Sequence, residues 1–223
     1  MVTVAERDYD TRMKILVIGA SQGTGALAVK AALDKGHDVS AFARSPQKLD
    51  IRSNKLTLVV GDFHDRASVV GAVKGHDAVI ITASSTSMKG FKEKPDYFSR
   101  GTRFAIDGMR EEGVKKLVVL SALGSGDSRP LLPFVVGKLM VDWLLKQPFI
   151  DHDVQETMVR ESELDWVVCR PGRLTNGPAK HKYVKTARIE AVPQSISRAD
   201  VADFLVEAAT TDTWNGQSVQ VGG

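Results

Sequence analysis

Apolar residues in this chain gather in short unbroken runs, separated by stretches in which they recur every three or four residues. Lys14–Ile18, Val39–Ala43, Leu56–Val60, Asp77–Thr82, Lys116–Leu120 and Trp166–Cys169 are such runs, rich in β-branched residues, and each reads as a strand. The stretches between them read as helices: Ala26–Lys35, stopped by Gly36, a short one at Ala67–Val73, and Tyr97–Glu112, closed by Gly113. Runs that are apolar throughout belong to strands covered on both faces, as in parallel sheets. Strands separated by helices need crossover connections, so the expected fold class is α/β, a Rossmann-like doubly wound parallel sheet.

The rhythm changes after Ser121. Residues 122–133 read as a loop, and Val135–Lys146 and Asp153–Glu163 as helices. The sixth strand is ended by Arg170-Pro171-Gly172. Residues 173–196, with glycine, proline and short β-like pieces, form a small lid or C-terminal substrate lobe over the sheet edge. Ser197 caps a helix through Ala209, with Asp200 as its capping-box partner, and Gln217–Val221 adds a last strand. Residues 1–12 read as a leader and 13–223 as a single domain.

Gly19, Gly23 and Gly25 lie where the first strand becomes the first helix. A strand entering a helix through glycines surrounds one concave spot with backbone N–H groups, and the helix dipole favours negative charge there. That geometry suits a diphosphate, with Ser21, Gln22 and Thr24 as further donors. The spacing is Gly-x-x-x-Gly-x-Gly. No Gly-Lys-Ser/Thr follows, which excludes a nucleoside-triphosphate loop. The end of the second strand chooses the dinucleotide: an acid there holds a ribose 2′-OH, a cation a 2′-phosphate. Asp38 precedes the strand, at the wrong end, whereas Arg44 stands at the carboxyl end with Lys48 behind it. The coenzyme expected is NADP(H). Asp62 can accept from an adenine amino group, with Phe63 beside the base, or can cap the next helix. Ala83 and Ser84 follow the fourth strand, where small residues admit backbone contacts.

Composition adds limits. With 30 Lys and Arg against 27 Asp and Glu, a net charge of +3 is too weak to imply nucleic acid. The sole cysteine, Cys169, permits no internal disulfide and reads as a buried thiol. No run reaches the ~20 apolar residues of a membrane span. A cytoplasmic protein without nucleic-acid or membrane partners is expected, with a small-molecule substrate; monomer and dimer stay open.

The stretches KILVIGASQGTG, VVGDF, DAVIIT, KKLVVLSA, DHDVQETMVRESELDWVVCRPGRL and ISRADVADFL, with Arg44 between the first two, cover most of the chain. In this order they resemble the atypical NAD(P)H-binding branch of the short-chain dehydrogenase/reductase superfamily, in particular its biliverdin reductase B/flavin reductase-like and NmrA-like members. Two departures stand out. Gln22 occupies the place of the second glycine of flavin reductase-like members. The Tyr-x-x-x-Lys pair of catalytic dehydrogenases is missing: Pro148 and His152 hold those positions. The flavin reductase-like members also carry histidine at the place of His152 and serine at that of Ser121. The resemblance supports Ser121 and His152 as catalytic candidates; His152, read as standing ahead of its helix, suits proton donation near neutral pH. The resemblance places Pro171, Gly172, Arg173 and Leu174 beside the nicotinamide. The function implied is NADPH-dependent hydride transfer to a planar conjugated acceptor (flavin, quinone or tetrapyrrole-like). A non-catalytic redox sensor of NmrA type is the alternative.

Overall fold

The structure, a computed structural model, describes residues 12–83, 95–133, 141 and 145–223. The strands are β1 (Lys14–Ile18), β2 (Asp38–Ala43), β3 (Leu56–Val60), β4 (Ala78–Ile81), β5 (Lys116–Leu120), β6 (Asp165–Pro171), β7 (Arg173–Thr175), β8 (Val184–Thr186), β9 (Ser195–Ser197) and β10 (Gln217–Gly222). The helices are α1 (Gly23–Asp34), α2 (Arg66–Val73), α3 (Tyr97–Glu112), α4 (Lys146–Arg160) and α5 (Arg198–Thr210). An eight-stranded sheet runs β3-β2-β1-β4-β5-β6-β10-β8, parallel except for β8, which pairs antiparallel with β10. A separate parallel ladder joins β7 to β9.

Each central strand feeds both faces, which is why its sequence is apolar throughout. Ile15 and Val17 pack with Ala28 of α1 and Phe204 of α5. Their neighbours Leu16 and Ile18 pack on the other face with Val69 of α2, Met109 of α3 and Val159 of α4. Strand order reverses between β1 and β4, opening a crevice at the carboxyl ends of the strands.

Several expected boundaries shift. α1 begins at Gly23, three residues before Ala26, so two of the glycines lie in its first turn. α4 begins at Lys146, not Asp153, and His152 therefore sits inside the helix. Pro148 is accommodated there, since a proline in the first turn forfeits no intrahelical bond. β6 runs on through Arg170 and Pro171. Residues 122–133 contain a 3-10 turn at Gly126–Leu131. Of the expected lid, β8 is an edge strand of the main sheet rather than part of a separate lobe. The expected helix at Val135–Lys146 falls almost wholly outside the described residues. Among those described, no helix is long and apolar enough to cross a membrane.

Candidate functional site

A cavity of about 1260 Å³ opens at the crevice. Its walls hold Gly19, Ser21, Gln22, Gly23 and Thr24 from the glycine turn, and Arg44 and Lys48 from the end of β2. Asp62 and Phe63 follow from β3 and Ala83 from β4; Ser121, His152 and Leu174 close the far end.

Each glycine of the turn has its own reason. Gly19 has φ +89°, and a Cβ there would lie 2.6 Å from Ala83 Cα, so strand-to-strand approach demands glycine. A Cβ on Gly25 would run into the Gly19 carbonyl and the Thr82 hydroxyl. Gly25 therefore seats α1 against the turn instead of facing the cavity. Gly23, at φ +58°, is the open one: a Cβ there would meet only Arg198 Nε, at 3.9 Å. Gln22, the N-cap, is extended and its side chain does not cap; the first turn of α1 holds no acid. The initial N–H groups of α1 thus face the cavity without an internal acceptor, which fits an anionic group.

Arg44 and Lys48 are exposed on the cavity rim, and neither makes an ion pair among the described residues. Unpaired cations grouped at the end of β2 suit a phosphate dianion. Asp62 does not cap α2; Asp65 does, accepting from Ser68 N. Asp62 Oδ1 instead accepts from His64 N at 2.9 Å. Phe63 is nearly buried and packs on Gly101 of α3, where any Cβ would strike its ring. Tyr97 joins this wall; burial raises its hydroxyl pKa, against the lowering effect of Arg44.

At the far end the Ser121 hydroxyl donates to Glu156 Oε1 at 2.6 Å. Glu156 is fully buried beneath it and held by Arg170, whose Nε reaches Oε1 at 3.0 Å and Nη2 reaches Oε2 at 2.5 Å. Burial opposes charge on Arg170, but Glu156 and then Asp127 hold its pKa above the usual value. With its proton committed to a carboxylate, the Ser121 oxygen meets the cavity as an acceptor.

His152 stacks on Phe98, ring centroids 3.8 Å apart. Asp151, its neighbour in α4, fixes that pairing by accepting from the backbone N–H of Phe98 at 2.5 Å and of Ser99 at 3.2 Å, capping α3 across the interface. His152 Nδ1 donates to Gln155 Oε1 at 3.0 Å, and Gln155 Nε2 donates to Thr102 at 2.8 Å. Burial pushes the imidazole below its ordinary range. The ring is neutral with its proton on Nδ1, so Nε2 carries a lone pair and no partner among the described residues. Desolvation disfavours the imidazolium, and with Nδ1 donating to Gln155 the ring offers Nε2 as an acceptor.

Three expected neighbours of the nicotinamide stay off the cavity wall. Pro171 lies within β6, and Gly172 packs on the backbone of Gln194. Arg173 is exposed, its N–H donating to Gln194 O at 2.8 Å. Ser84 lies outside the described residues. Conversely, sequence reading passed over Glu156, Arg170, Phe98, Tyr97, Asn176 and Arg198. A buried Glu and Arg, 14 residues apart on adjacent elements, leave no local motif; Arg198, beside the cap residue Ser197, carried the one available signal.

Known proteins resemble the chain in sequence and fold. A family description, NAD(P)H-binding, matches residues 19–212. A solved structure described as ChuY, an anaerobillin reductase from Escherichia coli O157:H7, superposes with a TM-score of 0.77 at 25% identity, covering 94% of this chain and 96% of that one. A short-chain dehydrogenase/reductase from Veillonella parvula, solved in complex with NADP, gives 0.76 at 18% identity, covering 96% and 95%, and shares the fold. Sanguinarine reductase from Eschscholzia californica is 22% identical over 255 residues, 96% of this chain and 90% of its own. The family match spans most of the sequence, and the chain belongs to the NAD(P)H-binding family of Rossmann-fold oxidoreductases.

Proposed function

We propose that the protein is an NADPH-dependent reductase of a planar conjugated acceptor: a flavin, a quinone or a tetrapyrrole-like molecule. The observation that carries the reading is the far end of the cavity, where an aromatic stack, Phe98 on His152, stands beside two polar atoms that can only accept. A site built to protonate an alkoxide needs a donor at that place, as the missing Tyr-Lys pair would supply. A delocalised acceptor needs a flat apolar wall and alignment instead.

When bound, NADPH supplies the hydride; this chain supplies position. The uncapped start of α1 receives the diphosphate, and Arg44 with Lys48 selects the 2′-phosphate. The Ser121 oxygen accepts from the carboxamide or from an N–H of the acceptor. Glu156 holds that hydroxyl in one orientation. His152 Nε2 accepts in the same way, and Phe98 excludes water from one face. The proton that completes reduction comes from solvent. The anaerobillin and sanguinarine reductases among the relatives support a conjugated acceptor.

The test is NADPH oxidation with FMN and a panel of small quinones. We expect turnover that falls in Ser121→Ala, and a pH profile without a limb near the ordinary histidine value of about 6.5. Tight NADPH binding with no turnover across the panel would replace this reading with a coenzyme sensor of NmrA type.

A further inference from the structure

Arg198 has no part in the reading so far. It is the first residue of α5, half-buried, and its side chain lines the cavity opposite the glycine turn. Nη1 donates to Asn176 Oδ1 at 2.7 Å and to the Leu174 carbonyl at 3.4 Å, both just past β7 or within it. Its Nε lies 3.9 Å from the point a Cβ on Gly23 would occupy. No carboxylate pairs with it among the described residues, and Nε and Nη2 have no partner there. A cation held only by neutral oxygens, facing the uncapped start of a helix, makes that part of the cavity favourable to an anionic group. The helix behind it is firmly set, since Ser197 Oγ accepts from Asp200 N at 3.0 Å.

We propose that Arg198 is the cation that clamps the diphosphate of the bound dinucleotide. Nε and Nη2 form a planar fork toward the phosphate oxygens, the geometry in which guanidinium exceeds ammonium. Nη1 meanwhile keeps Asn176 and Leu174 in place. One side chain thus ties the coenzyme to the segment that leads into the lid. The backbone N–H groups of Lys180 and His181, anchored on Asp200 Oδ1 at 2.9 and 2.8 Å, lie further along the same segment. This inference rests on the coenzyme reading above, and the experiment separates the two.

Calorimetric titrations of NADPH, NADH, ADP-ribose and 2′-AMP are compared for the wild type, Arg198→Ala, Arg198→Lys and Arg44→Ala. Losing a hydrogen-bonded charge should weaken NADPH, NADH and ADP-ribose by a common factor of about 10 to 100 in Arg198→Ala, with 2′-AMP unchanged. Arg44→Ala should show the complementary pattern, losing NADPH and 2′-AMP but not NADH. Arg198→Lys keeps the charge, and its intermediate affinity would separate lost charge from lost fold. Amide exchange across residues 173–183 should slow on coenzyme binding in the wild type and not in Arg198→Ala. Unaltered NADH and ADP-ribose affinities in Arg198→Ala would overturn the clamp and leave the coenzyme reading standing. A wild type that binds neither coenzyme would overturn both.

Discussion

His152 shows how a single side chain changes meaning with its surroundings. Sequence placed it ahead of a helix, where an imidazole titrates near neutrality. In the structure it lies inside α4 against Phe98, and burial lowers its pKa. The consequence for stability has a definite sign. The unfolded chain takes up a proton as pH falls through about 6.5, while the folded ring resists protonation. Stability is therefore fully present above that value and declines on acidification, until the folded ring also protonates. His37, likewise lowered by burial, adds to the trend. The melting temperature of the wild type should drop between about pH 7.5 and about pH 5.5, and less steeply in His152→Gln. Equal slopes in both proteins would show that His152 titrates normally.

At the scale of elements, the glycine turn makes unequal demands on residues that look alike in sequence. Gly19 combines positive φ with a backbone contact too close for any Cβ, and Gly25 meets two oxygen atoms at once. Gly23 has only the positive φ. Gly23→Ala should cost about 1–2 kcal/mol, the left-handed penalty, whereas Gly19→Ala adds a clash that shifts β4 and should cost several times more by denaturant melts. Equal costs would mean that the turn yields freely. The same elements mark what sequence could reveal. The strands β1, β2, β4 and β5 were legible because burial against helices forces apolar runs, and the exposed edge strand β3 through its β-branched residues Thr57, Val59 and Val60. The start of α4 was not, because Pro148 sits where a proline is harmless. β8 is short and exposed, so burial writes no pattern into it. Arg44, Ser121 and the turn were legible because local chain direction places them. Glu156 under Ser121 and Arg198 beside Gly23 were not, because those neighbours meet only after the sheet has closed.

For the molecule as a whole, the parallel sheet holds one residue type that is chemically distinctive and wholly enclosed. Cys169 lies in β6 between Leu120 of β5 and Val219 of β10, fully buried, its thiol pKa raised by desolvation. Two covered sheet faces shut reagents out, and the protonated sulfur is a poor nucleophile. Alkylation of the native protein should therefore proceed only through openings that part the centre of the sheet, and it should be immediate in denaturant. Rapid modification in native buffer would contradict that seal. The lone thiol thus serves as a ready-made clock, its reaction time under native conditions recording how seldom the interior of the fold comes apart.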